Sequence, residues 1–103
     1  MYLILLDPNV QKQLEVFPRY DGYYLKLNIH DEQKLVSSLI QEIQRSQMAG
    51  IEPVLFTSRN EVRFAIARMV HKYNIPIAVI SDNELVQGVA LEQVGMVTMS
   101  EES

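Results

Sequence analysis

The chain opens on a continuous apolar run, Tyr2-Leu3-Ile4-Leu5-Leu6, stopped by Asp7-Pro8. An unbroken run of this length suits a buried strand, and Asp7 can cap a helix whose first position is Pro8, where a missing N–H costs nothing. That helix is expected to reach about Val16, followed by a surface turn over "FPRYDG" and a second strand over "YYLKLNI", anchored by Tyr24, Leu25 and Leu27. From Asp31 to Ala49 the apolar residues Leu35, Val36, Leu39, Ile40, Ile43 and Met48 recur with helical spacing, while Lys34, Gln41, Glu42 and Arg45 fall on the other face. Gly50 suits the residue just past the helix end, where φ turns positive, and "EPVLFT" reads as a third, buried strand.

Ser58 and Glu61 make the pattern S-x-x-E, which predicts a capping box at the start of a helix. The inner stripe of that helix is Val62, Ile66, Met69, Val70 and Tyr73, and Asn74 and Pro76 end it. "PIAVI" gives a fourth strand, "SDNE" repeats the capping signal before a short helical turn closed by Gly88, and Val89 to Val97 is the last strand, weakened by Gly95. Strands alternating with helices predict an α/β fold: a small sandwich with a mainly parallel central sheet, right-handed crossovers and helices packed on it. Residues 1–99 are expected to form a single α/β domain, with "SEES" (100–103) as a polar tail.

Composition narrows the function classes. With 48% hydrophobic and 21% charged residues the chain falls with globular proteins and outside the disordered class. A net charge of -4 works against a phosphate backbone, so no nucleic-acid partner is expected. The absence of cysteine removes disulfides, thiolate nucleophiles and cysteine-zinc sites, and a cytoplasmic setting is the default. The first apolar run stops at Asp7, far short of the roughly 20 residues a membrane span needs, so no direct membrane contact is expected.

Ligands of open parallel sheets bind beyond the carboxyl ends of the strands, which here are Asp7-Pro8-Asn9, Thr57-Ser58-Arg59-Asn60 and Ser81-Asp82-Asn83. Asp7 and Thr57 raise a receiver-like reading, a small signalling or anion-binding α/β domain. Against it, no lysine follows "PIAVI" and no acidic pair stands beside the first strand to hold a cation. The glycines, at 22, 50, 88 and 95, form no phosphate cradle. His30 and His71 lack metal-ligand spacing and an orienting acid, so neither a metal site nor a hydrolytic triad is expected, and no cofactor. What remains is a basic set on one helix, Arg59, Arg63, Arg68 and Lys72, suited to polar contacts with an acidic neighbour.

The ordered series "LDPNVQKQL", "GYYLKLNIHDEQKLVSSLIQEI", "GIEPVLFTSRNEVRFAIARMVHKYNIPIAVISDNEL" and "VALEQVGMV" resembles the C-terminal end of the flagellar and type III secretion export-gate family, the FlhA/InvA/YscV (FHIPEP) proteins. The matching positions include Leu6, Asp7 and Pro8; Gly22, Tyr24, Leu25 and Leu27; Gly50, Pro53, Val54, Leu55 and Ser58; Pro76, Ser81, Glu84 and Leu85; and Val94, Gly95 and Val97. Arg59 stands where the family commonly has proline. The resemblance implies the last part of a cytoplasmic region, with residues 1–22 open to membership of a preceding subdomain, as a fragment or a stand-alone truncated relative. It also implies a non-enzymatic role in a homo-oligomeric ring on the cytoplasmic face of the inner membrane. The expected partners are other export-apparatus proteins, export chaperones and substrates, with Arg59, Arg63, Arg68 and Lys72 as candidate contacts.

Overall fold

The computed structural model of the chain describes residues 1–85 and 87–99; the tail expected over 100–103 lies outside them. The elements are β1 (Tyr2–Leu6), α1 (Pro8–Gln13), β2 (Val16–Arg19), β3 (Gly22–Leu25), α2 (Ile29–Met48), β4 (Pro53–Thr57), α3 (Asn60–Lys72), β5 (Ala78–Ser81), a 3-10 turn (Asp82–Glu84) and β6 (Glu92–Val97). Four strands form one parallel sheet in the order β5-β4-β1-β6, and β2 and β3 pair antiparallel as a separate hairpin. The predicted α/β class with a mainly parallel sheet is the architecture found.

One face of the sheet carries the core. Ile4, Leu6, Leu55, Val79 and Val97 meet Val10 of α1, Leu35, Leu39 and Ile43 of α2, and Val62, Ile66, Met69 and Val70 of α3, all buried in a single cluster. Each such side chain contributes on the order of 1.5–3 kcal/mol relative to exposure. Strand residues of the opposite parity, Leu5, Val54, Phe56, Ile80 and Met96, remain half-buried and outside that cluster. The inner stripes read from the sequence are largely those observed, but Ile40 and Met48 are exposed, at 37% and 90%.

Glu42, expected on the solvent face of α2, is buried instead. β6 is an edge strand, and its outward amides need acceptors. Glu42 Oε1 accepts Met96 N–H at 2.9 Å and Ser38 Oγ accepts Thr98 N–H at 2.9 Å, so α2 closes this edge with side chains. Arg45 lies 3.1 Å from the Glu42 carboxylate and balances its charge.

Both long helices end as their sequences require. At the end of α2, Gly50 takes φ 73° and donates to Gln47 C=O while Ile51 N–H donates to Ser46 C=O. Asn74, at φ 54°, repeats the arrangement for α3 through His71 and Val70. These paired bonds satisfy carbonyls that the last helical turn leaves open. At the other end α2 begins before Asp31, because Asn28 caps it by accepting Asp31 N–H at 2.8 Å.

Two local readings are corrected. "FPRYDG" is not simply a turn: Val16–Arg19 is a strand, paired with Gly22–Leu25, and only its tip turns. Pro18, exposed on a two-stranded ribbon, removes no amide that the ribbon cannot spare. Nor does Ser58 cap α3. The N-cap residue is Arg59, without a side-chain cap, and Ser58 Oγ donates to Gln11 Oε1 at 3.0 Å. The second S-x-x-E does close on itself, with Glu84 Oε1 accepting Ser81 N–H at 3.1 Å.

Candidate functional site

α3 lies between the sheet and the hairpin, and its outer side presents Arg63, Phe64, Ala67, Arg68 and His71 at helical spacing. The hairpin is drawn onto this side by its turn. Arg68 Nη2 donates to Asp21 C=O at 2.6 Å, and the Arg68 guanidinium sits 4.4 Å from the centre of the Tyr24 ring. Gly22 makes this approach feasible: it holds φ 136°, and a Cβ there would stand 2.9 Å from Arg68 Nη2. Phe17 and Tyr24 stack across the ribbon at 5.7 Å, with Arg19 at 5.2 Å from both ring centres. On the other side of the ribbon Tyr23 stacks with Phe64 at 6.3 Å, and Arg63 lies 4.9 Å from the Phe64 ring.

The four basic residues expected to contact a partner do not form one cluster. Arg63 Nη2 donates to Glu84 Oε2 at 3.0 Å; its Nε lies near Oε1 without hydrogen-bond alignment, so one directed bond and close charge hold the pair. That hydrogen bond from Arg63 is the main reason the Glu84 carboxyl is held below its usual range. Lys72 turns toward α2 and meets Glu32 at 3.1 Å, where Tyr73 also donates its hydroxyl. Arg59, at the opposite end of α3, reaches Leu14 C=O at 3.4 Å. Only Arg63 and Arg68 share the aromatic side of the helix.

The aromatics of "FPRYDGYY", with one arginine, suit a turn packed against the body better than a single-strand stacking track, and the turn does pack on α3, but its role in a site was not legible. "FPRYDGYY" holds Arg19, Tyr20, Tyr23 and Tyr24, and the strand alternation that sends Tyr23 and Tyr24 to opposite sides follows only once "VFPR" is paired. Tyr20 at the tip is fully exposed and Phe64 is 50% exposed, whereas the hairpin and α3 enclose a shallow cleft of about 570 Å³. Asp21 in its wall has its carboxyl lowered, first by the hydroxyl that Tyr24 donates to it at 2.6 Å, and stays anionic at neutral pH.

The carboxyl ends of the strands are arranged differently. Asp7, the acceptor in the receiver-like reading, turns its carboxylate back to accept Asn9 N–H at 2.8 Å. Thr57 is buried and its hydroxyl donates to Arg59 C=O at 3.2 Å. Among the described residues no group of three or more His, Asp or Glu side chains is placed to hold a metal ion. No helix among them is long and apolar enough to cross a membrane.

No protein-family model matches the sequence, and no curated protein matches it significantly. Solved structures do share its fold. The structure of the Chlamydia pneumoniae CdsV protein matches with a TM-score of 0.69 and 21% identity over 95% of this chain. The cryo-EM structure of nonameric EPEC SctV-C matches with a TM-score of 0.70 and 16% identity over 94%. This chain spans 28% and 29% of those chains. Both are cytoplasmic domains of the FlhA/YscV export-gate family, the family that the ordered motifs resemble.

Proposed function

We propose that the chain is a non-enzymatic protein-binding module of a bacterial flagellar or type III export apparatus. In this reading it takes part in a cytoplasmic ring that docks export substrates and their chaperones. The observation that carries it is the likeness of fold to CdsV and SctV-C over nearly the whole chain, joined to the same family's motifs in the same order. The nonameric state of SctV-C supports a ring as the setting.

Within that ring, the contact surface is the side of α3 that carries Arg63, Phe64 and Arg68 together with the hairpin tip. Tyrosine, phenylalanine and arginine exposed in one place have the composition of interface anchors. Arg59 and Lys72, bonded to Leu14 C=O and to Glu32 rather than facing the aromatic side, are further contacts beyond its two ends.

The test is affinity capture with the tagged chain from cells that express an export apparatus, with Arg68→Glu and Phe64→Ala variants alongside. Enrichment of export components by the native chain, reduced by either folded variant, is the expected result. Equal recovery with all three proteins removes the α3 side from the contact, and no enrichment with the native chain defeats the docking role.

A further inference from the structure

We infer that the cleft between the hairpin turn and α3 receives an acidic peptide segment carrying a large apolar side chain. This deepens the docking reading above and rests on it. The cleft, about 570 Å³, is lined by Asp21, Gly22 and Tyr23 of the hairpin and by Phe64, Ala67, Arg68 and His71 of α3. Its walls are mainly rings and aliphatic carbon, a surface that favours an apolar side chain over water. A cleft of this volume admits one aromatic or large aliphatic group with its flanking backbone.

The charge around it selects acidic flanks. Among the described residues neither Arg19 nor Arg68 makes an ion pair: Arg19 lies against Phe17 and Tyr24, and Arg68 spends one donor on a carbonyl. A guanidinium that packs flat on a ring still offers N–H groups at its edge to a carboxylate. Asp21, in the cleft wall, is the opposing charge: it accepts the Tyr24 hydroxyl, stays anionic and faces both guanidiniums. Arg68 and Asp21 balance within the lining, and Arg19, held over Tyr24 beside it, leaves an excess of one positive charge around the turn on a chain of net charge -4. That same net charge opposes a second copy of the chain as occupant, and it opposes a long nucleic-acid track.

The test is an NMR titration of the isotope-labelled chain with the blocked hexapeptide Asp-Glu-Phe-Leu-Glu-Asp at low salt. One control peptide has lysine in place of its acids and another has alanine in place of Phe and Leu. The expected result is saturable shifts at Gly22, Tyr23, Ala67 and Arg68, affinity at least tenfold above either control, and weakening as salt rises. Arg19→Glu and Phe64→Ala, checked as folded by circular dichroism, each lower that affinity at least fivefold. Equal affinity for the lysine peptide, shifts centred elsewhere, or unchanged affinity in both folded variants overturns the assignment. So does an octathymidine that binds more tightly, or the same shifts appearing on concentrating the chain alone. If the peptide fails while native chain still captures export components, only the cleft assignment falls; if both fail, the docking reading falls with it.

Discussion

Replacing Gly95 by alanine tests how α2 closes the edge of the sheet. β1 pairs Leu3 with Gln93 but Ile4 with Gly95, so Val94 is an extra residue and β6 bulges there. The bulge brings the Glu42 carboxylate directly over Gly95: a Cβ would stand 2.6 Å from Oε1, the same oxygen that accepts Met96 N–H at 2.9 Å. A methyl group therefore displaces the carboxylate and strands a half-buried amide. Hydrogen bonds to charged groups contribute about 1.5–3 kcal/mol. Alanine recovers about 0.4–1 kcal/mol by restricting the unfolded chain. Gly95→Ala is expected to destabilise by about 1–2 kcal/mol, measured by urea unfolding followed by circular dichroism. The decisive measurement is the cycle with Glu42→Ala. With the carboxylate gone, the neighbouring Glu42 Cβ at 3.5 Å is an ordinary contact, so Gly95→Ala becomes neutral or stabilising in that background. Additivity of the two changes within about 0.5 kcal/mol, or a Gly95→Ala protein as stable as the native one, refutes the account.

The corrected caps give a paired test: Asn28→Ala removes the α2 cap and is expected to cost about 1 kcal/mol, whereas Ser58→Ala costs less than about 0.5, and a reversed order would restore the S-x-x-E reading of α3. Gly22→Ala forces an L residue to φ 136° against Arg68 and is expected to cost about 1–3 kcal/mol; hairpin amides that keep their exchange protection would argue against this tie. For Glu32, burial raises the pKa, but hydrogen bonds from Tyr73 and Lys72 outweigh it and hold the carboxyl below its ordinary 4.5. A carboxyl with a lowered folded pKa adds stability that is complete above the unfolded value and is lost as pH falls through the folded one. The stability gap between the native chain and Glu32→Gln should therefore narrow on acidification from about pH 6 to about pH 3, and a constant gap contradicts it.

The parallel sheet and its two long helices were legible because each rests on a local signal. "YLILL", "PVLFT" and "AVIS" are short apolar runs, α2 and α3 keep helical spacing, and Gly50 and Asn74 stop them by adopting positive φ. Misreadings came where a residue's role is fixed by an element distant in sequence. Glu42 falls at a polar position of α2, yet it is buried because an edge amide 54 residues away has no other acceptor. Ser58 has the right neighbour for a capping box, but Gln11, 47 residues earlier, takes its hydroxyl.

The candidate site obeys the same rule and shows what it implies for function. The spacing of Arg59, Arg63, Arg68 and Lys72 identified a basic helix, but not which charges are already spent. Glu84, 21 residues from Arg63, and Glu32, 40 residues from Lys72, neutralise two of the four. Arg68 escapes because its partner is a carbonyl, which satisfies a donor without cancelling the charge. Pairing "VFPR" with "GYYL" then sets Tyr24 against Arg68, with Arg19 on the same ring, and Tyr23 on the other side of the ribbon against Phe64. In the docking reading proposed above, the contact surface is made by the hairpin packing on α3, so any change that releases the hairpin, Gly22→Ala included, should weaken partner capture even though Gly22 contributes no side chain to it.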